Sequence, residues 1–366
     1  MIPESERGQI REVLKARKAS GEEILMGETE HFVVVYRGGR DVYRRFGSYL
    51  DTHPMSLAQF LEIKYHNIFQ QFQLDSGITG THLVEVGRLR ENLFISGVHK
   101  GDKHERYDDH NWETVRFSDV KSNTFPGKLS SNYPQVYQTA THEVLGHSVF
   151  QPILMPQISI SQEDYRKNFL GFASEGFATY IENLAIGIDS HKLYGKILFN
   201  EFAFNPPFGL YMTLLNMNHR LVEIDKKWGD PQKPIIFEDT KEMGKMIKDS
   251  GMFMDLKNCF NMGWQEELSP NISHYPRGAS LNRLIFDTYG PDIFRQWTLG
   301  VNRDNYGHLI SDITGLSRQA ISQVWKSTVL KSMQEMTNNQ DQPPIPKIFG
   351  GQKKAQQVVN YLNEFT

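Results

Sequence analysis

Three features of this 366-residue chain predict an α+β protein. β-branched and aromatic runs are confined to the first third, helical periodicity governs most of the chain beyond Pro134, and the two regimes meet in polar, irregular sequence. The length suits one large two-lobed unit. The expected organisation is a mixed α/β N-terminal lobe over 1–130, a mainly helical lobe over 131–340, and a Pro-rich linker with a terminal helix over 341–366, with a cleft between the lobes.

In chain order, Ile10 to Lys18 reads as a surface helix followed by a turn at Gly21. His31-Phe32-Val33-Val34-Val35-Tyr36 is a strand stopped by Gly38-Gly39. Leu57, Phe60, Leu61, Ile68, Phe69 and Phe72 recur at helical spacing, and Ser56 with Gln59 supplies a capping box at the start of a helix ending near Gly77. Thr81 to Val86 and Asn92 to Val98 read as two strands joined through the polar turn Arg88 to Glu91, and Trp112 to Ser118 as a further strand. The charged loop 100–112 carries His104 and His110 without regular ligand spacing and reads as solvated. Helices are expected over 134–151, 163–186, 208–227, 278–289 and 317–334, separated by breaks such as Asn205-Pro206-Pro207 and Gly229-Asp230-Pro231. Pro343-Pro344-Ile345-Pro346 precedes a last helix over 353–363.

Charge narrows the function classes. Forty basic against 43 acidic side chains leave a formal charge of −3, without the basic face that nucleic-acid binding needs. The single cysteine, Cys259, forms no intramolecular disulfide and rules out a cysteine-rich zinc module. No signal peptide and no bilayer-length apolar run are visible, so no membrane partner is expected and a cytoplasmic location is. Export by a signal-less route would leave the same sequence. Oligomeric state has no sequence signature here.

The chemistry is concentrated in Thr141-His142-Glu143-Val144-Leu145-Gly146-His147-Ser148. Two imidazoles with a glutamate directly after the first fit a divalent ion whose bound water loses a proton to that glutamate. The spacing makes a demand. Residues four apart on an α-helix differ by about 40° around the axis, residues five apart by about 140°. His142 and His147 are five apart, so a shared ion requires a π-type bulge, most easily tolerated near Gly146. Two histidines rarely suffice, since catalytic sites usually use three protein ligands and one open position. Glu175 is the candidate third ligand. It lies on an expected helix with a stripe of Phe169, Phe172, Gly176, Tyr180 and Leu184, and the small Gly171, Gly176 and Ala178 would let that helix approach the helix of His142 and His147 closely. Glu182 is placed to orient His142 or His147 through a ring N–H, although a solvent-facing Glu182 is equally natural.

His142-Glu143-Val144-Leu145-Gly146-His147 resembles the zinc helix of the dipeptidyl-peptidase III peptidases. Glu175-Gly176-Phe177-Ala178 resembles the third-ligand helix of gluzincin aminopeptidases, and the pairing of the two is also similar to the tubulin tyrosine carboxypeptidase-like family. The resemblance spans about residues 134–187. It implies a zincin-like metallopeptidase with one Zn2+ held by His142, His147 and Glu175, and Glu143 as general base. The Glu-Glu-Cys-Arg-Ala segment of dipeptidyl-peptidase III is missing and the third-ligand spacing is shorter, so the resemblance does not extend to dipeptide release.

Peptide hydrolysis also needs a donor for the developing oxyanion. Ser273-His274-Tyr275-Pro276-Arg277-Gly278 gathers such donors before a helix. Tyr275 is the expected oxyanion donor, and Arg277 or His274 would bind a substrate carboxylate. The alternative packs Tyr275, solvates His274 and leaves Arg277 in a surface ion pair. His191, His219 and His308 read as structural. Trp112 to Phe125 is the candidate edge strand for an extended peptide. A zinc-dependent peptidase acting on a peptide or protein is therefore expected, with exo- or endo-specificity open. The rivals are a metal-dependent hydrolase of non-peptide amides or esters, and a catalytically inactive metal-binding protein.

Overall fold

The computed structural model describes residues 2–22, 24–37, 53–75, 80–87, 97–100, 114–118, 135–158, 171–199, 274–302, 305 and 308–338. The expectations for the loop 100–112, the helix 208–227, His219, Cys259 and the tail 341–366 lie outside these residues. The architecture is mixed α and β, and mostly helical among the described residues. Two compact units are formed, Met1–Leu154 with Ile181–Ile188, and Met155–Tyr180 with Asp189–Thr366.

The first unit is built on a sheet. Its strands are β1 (Ile2–Pro3), β2 (Ile24–Glu28), β3 (Phe32–Arg37), β4 (Gly80–Gly87), β5 (Gly97–Lys100) and β6 (Thr114–Ser118). They run in the order β2-β3-β4-β6-β5, with β1 pairing on β4. The β3–β4 and β4–β6 pairs are parallel, while β2 and β5 flank them antiparallel. A parallel centre is covered on both faces, which explains why Phe32 to Tyr36 is a continuous buried run and not an alternating one. Val33 and Val35 turn toward α1 (Arg7–Ala19), packing with Ile10, Leu14, Ile24 and Leu83. Helix α2 (Pro54–Gln71) runs between β3 and β4 in the chain, as a parallel pair requires, and buries Leu57, Leu61, Tyr65 and Ile68.

Two expectations need correction, and one strand is unexpected. The capping box at Ser56 is not used. Helix α2 begins earlier, with Pro54 in the first turn and the His53 ring accepting from the Met55 N–H at 3.2 Å, a start for which proline's fixed φ is preorganised. The strands β4 and β5 are not hairpin partners, because β6 lies between them and pairs with both. Strand β2 has no clear sequence signal: its burial does not alternate, and Gly27 interrupts its side chains. Gly27 is there because a Cβ would come within 2.2 Å of the Met55 backbone nitrogen at the start of α2.

Helix α3 runs from Gln135 to Leu154. It packs on α2 through Phe60 against Tyr137, ring centroids 4.5 Å apart, and Tyr65 against Phe150 at 5.9 Å. Helix α4 covers Gly171 to Ile186.

In the second unit, α5 (Ser190–Phe199) packs between α6 (His274–Gly300) and α8 (Arg318–Asn338), with α7 (Leu309–Thr314) before α8. Asp189 caps α5 by accepting from the His191 and Lys192 N–H groups at 2.9 and 3.0 Å. Helix α6 extends further at both ends than the periodicity predicts and is broken at Gly290, whose φ of 84° precedes Pro291. Its Ser280 hydroxyl accepts from Trp325 Nε1 at 2.8 Å and lies 2.9 Å from His191 Nδ1. His191 is therefore a buried packing residue, as expected. Burial and the nearby Arg283 guanidinium lower its pKa to about 4.

Candidate metal centre

The segment Thr141–Phe150 of α3 is π-helical throughout, so the distortion extends over 10 residues and is not a single bulge. The local hydrogen bonds follow the wider ladder. The Gln151 N–H donates to the Gly146 carbonyl, and Ser148 Oγ donates to the Glu143 carbonyl at 3.2 Å, both five residues back. At the entry Thr141 Oγ1 donates to the Gln138 and Tyr137 carbonyls at 2.8 and 3.0 Å, side-chain bonding that competes with a regular α ladder. With i→i+5 bonding, residues five apart stack about one turn above each other. The His142 and His147 rings accordingly face the same side, centroids 5.0 Å apart and planes at 81°. Val144, Leu145, Val149 and Phe150 are buried and hold this unusual backbone by packing.

Glu175 ends a second π-helical segment, Gly171–Glu175. Ala173, Ser174, Phe177 and Ala178 around it are buried, while Glu175 itself is half-buried. The small Gly176 serves a different approach from the one expected, toward α6 and not toward the helix of His142 and His147. A Cβ there would lie 2.5 Å from Gly278 Cα, so α4 and the first turn of α6 touch backbone to backbone. His142, His147 and Glu175 each offer one ligand atom, and these atoms lie within 4.8 Å of one another. Tetrahedral coordination at about 2.0–2.2 Å puts ligand atoms roughly 3.4 Å apart, so the group fits a small ion after modest side-chain adjustment.

Two further side chains orient the rings. His142 Nδ1 lies 3.2 Å from Glu182 Oε2, and His147 Nδ1 lies 2.8 Å from Gln151 Oε1. The sequence reading misses the second partner, although an amide four residues after a ligand histidine stands over it on the next turn and is a readable signal. Glu143, next to His142, is half-buried.

The segment 273–278 is placed differently from expectation. His274 opens α6, so Tyr275 and Arg277 sit in the helix's first turn and not in a loop before it. Tyr275 is half-buried. Arg277 is 4 % exposed, which excludes the surface ion pair. The His274 side chain lies outside the described residues. Of the candidate edge strand, β6 is described, and it pairs on both sides with β4 and β5, so it offers no open edge over Thr114–Ser118. The correction follows from β5, which chain order alone would set beside β4.

Among the described residues no helix is long and apolar enough to cross a membrane. Comparison of the chain with family models, curated proteins and solved structures finds no match.

Proposed function

We propose that this protein is a zinc-dependent peptidase of zincin-like type, with His142, His147 and Glu175 as the metal ligands and Glu143 as the general base. The observation that carries the reading is the π-helical ladder that brings histidines five apart onto one side, within ligand range of Glu175. Two imidazoles and a carboxylate are the donor set of a catalytic zinc site with one open position. A bound divalent ion would lower the pKa of a water it holds and polarise the scissile carbonyl.

The remaining work falls to the chain's own side chains. Glu182 and Gln151 accept from Nδ1 of the two rings, which fixes the tautomer that presents Nε2 as the ligand nitrogen. Glu143 takes the proton of the attacking water and returns it to the leaving amine, a role worth about 10²–10⁴ in rate. Tyr275, in the turn of α6 that Gly278 brings against Gly176, supplies the donor for the oxyanion, and Arg277 binds or orients a substrate carboxylate.

The deciding experiment combines metal analysis with peptide hydrolysis for the wild type and Glu143→Gln. Glu143→Gln is expected to keep the ion and lose turnover on a panel of free and end-blocked peptides. Full activity in that variant overturns the assignment of Glu143, and a metal-loaded wild type inert toward every peptide overturns the peptidase reading.

A further inference from the structure

A second cluster of metal-ligating side chains lies in the first unit, where the β2–β3 turn meets α2. Glu30 and His31 come from the turn, and Glu62 and His66 stand one turn apart on α2. Each offers one ligand atom, and the four atoms lie within 4.8 Å of one another. Glu62 is the hub. Its Oε1 is 2.5 Å from His31 Nδ1 and 3.1 Å from His66 Nε2, and its Oε2 accepts from the His31 backbone N–H at 3.0 Å.

The scaffold under these donors is held from several sides. Arg7 of α1 donates to the Glu30 carbonyl at 2.5 Å, to the Thr29 carbonyl, and to Glu28 Oε1 at 2.9 Å. Arg11 donates to both Glu28 oxygens, at 2.8 and 2.6 Å. The turn is thus tied to α1 on one side, while Gly27 lets the start of α2 seat directly on β2. Tyr65 fills the space behind the rings, 5.0 Å from His31 and 5.1 Å from His66.

An ion-pair network explains Glu62 with its two histidines. Glu30 brings a second carboxylate to the same point, and a cation held among the four donors would offset the repulsion between the two. Two neutral imidazoles and two carboxylates carry a charge of −2, matched by one divalent ion, and mixed nitrogen and oxygen donors suit zinc and its first-row neighbours over calcium or magnesium.

We propose that Glu30, His31, Glu62 and His66 form a second site for a divalent transition-metal ion, clamping the β2–β3 turn to α2. The inference is independent of the peptidase reading. All four corners are protein ligands, so the site is structural in type. Through Tyr65, which also stacks on Phe150, the clamp supports the helix that carries His142 and His147.

The test is zinc titration of the full chain after chelator treatment, followed by metal analysis and thermal unfolding. The wild type is expected to bind two ions per chain. His142→Ala/His147→Ala is expected to retain one, together with a zinc-dependent rise in unfolding temperature. Adding His66→Ala, a half-exposed position, should weaken that remaining ion at least about tenfold, and Glu30→Gln should weaken it in the same direction. Cobalt substituted into the double variant should give absorption that His66→Ala removes. The proposal fails if the double variant binds no ion, or if His66→Ala and Glu30→Gln both leave its affinity unchanged. Peptidase activity enters neither outcome, so failure of one reading leaves the other standing.

Discussion

The two histidine–glutamate clusters solve the same problem with opposite backbone strategies. At His142, His147 and Glu175 the donors are five apart on one helix, and convergence requires 10 residues of π-helix braced by a buried apolar face. At Glu30, His31, Glu62 and His66 the helix is ordinary, its two donors four apart, and convergence depends on a turn docked against it. The first arrangement departs from α-helical geometry and is largely buried. The second is relaxed and has two exposed members, as suits a clamp.

The sharpest separation comes from Glu143→Gln. Peptide turnover should fall by about 10²–10⁴, with metal content at both clusters unchanged. A variant that lost an ion as well would mean that Glu143 is a ligand, which would break the comparison.

The glycines that support each cluster come next. Gly176→Ala forces a Cβ against Gly278 backbone 2.5 Å away, which cannot yield as a flexible side chain would. A loss of about 3 kcal/mol in denaturant unfolding is expected, with weakened metal binding at His142, His147 and Glu175 alone. Gly27→Ala meets Met55 backbone at 2.2 Å and should instead weaken the site at Glu62. Crossed effects would show that the two sites are mechanically coupled.

Acid sensitivity must be apportioned before it is credited to either cluster, because His191 contributes its own share. Burial and Arg283 lower its folded pKa from 6.5 to about 4, so the folded chain refuses a proton that the unfolded chain accepts. The corresponding stability is complete above pH 6.5 and is lost as pH falls toward 4, about 2 kcal/mol by pH 5. Urea midpoints of the metal-free chain at pH 7.5 and 5.0 should fall less in His191→Gln than in the wild type. Equal falls would show that the ring is not held neutral.

The mildest changes are at the orienting groups. Glu182→Gln and Gln151→Ala should each weaken zinc at the π-helical site by about 10–100-fold and leave the other ion alone. No change in either would mean that these contacts pack the rings without tuning them.

Much of the first site is legible in the residues themselves. His142, Glu143 and His147 declare their chemistry by type, and their spacing dictates a departure from α-helix that the backbone makes. Glu175 and Glu182 are readable from their places on one expected helix after the histidine motif, whereas the small Gly176 beside Glu175 serves the approach of α6. The second site is not legible, because His31 and Glu62 are 31 residues apart and meet only when α2 folds onto β2. The His104 and His110 loop draws attention as a local polar run, whereas the donors brought together at Glu62 come from segments that read as a strand and an amphipathic helix.

The fold divides along the same line. Periodicity determined by itself that the strands come early, that helices dominate later, and that Phe32 to Tyr36 is core, because burial selects side chains one position at a time. It could not determine strand order. The pairing of β5 with β6, the role of Gly27 under α2, and the start of α2 at Pro54 are choices among segments distant in sequence, decided by which backbones can approach each other. Sequence alone named the donors of one cluster and the helix distortion their spacing demands; tertiary structure decided that a turn and a helix also gather the donors of another.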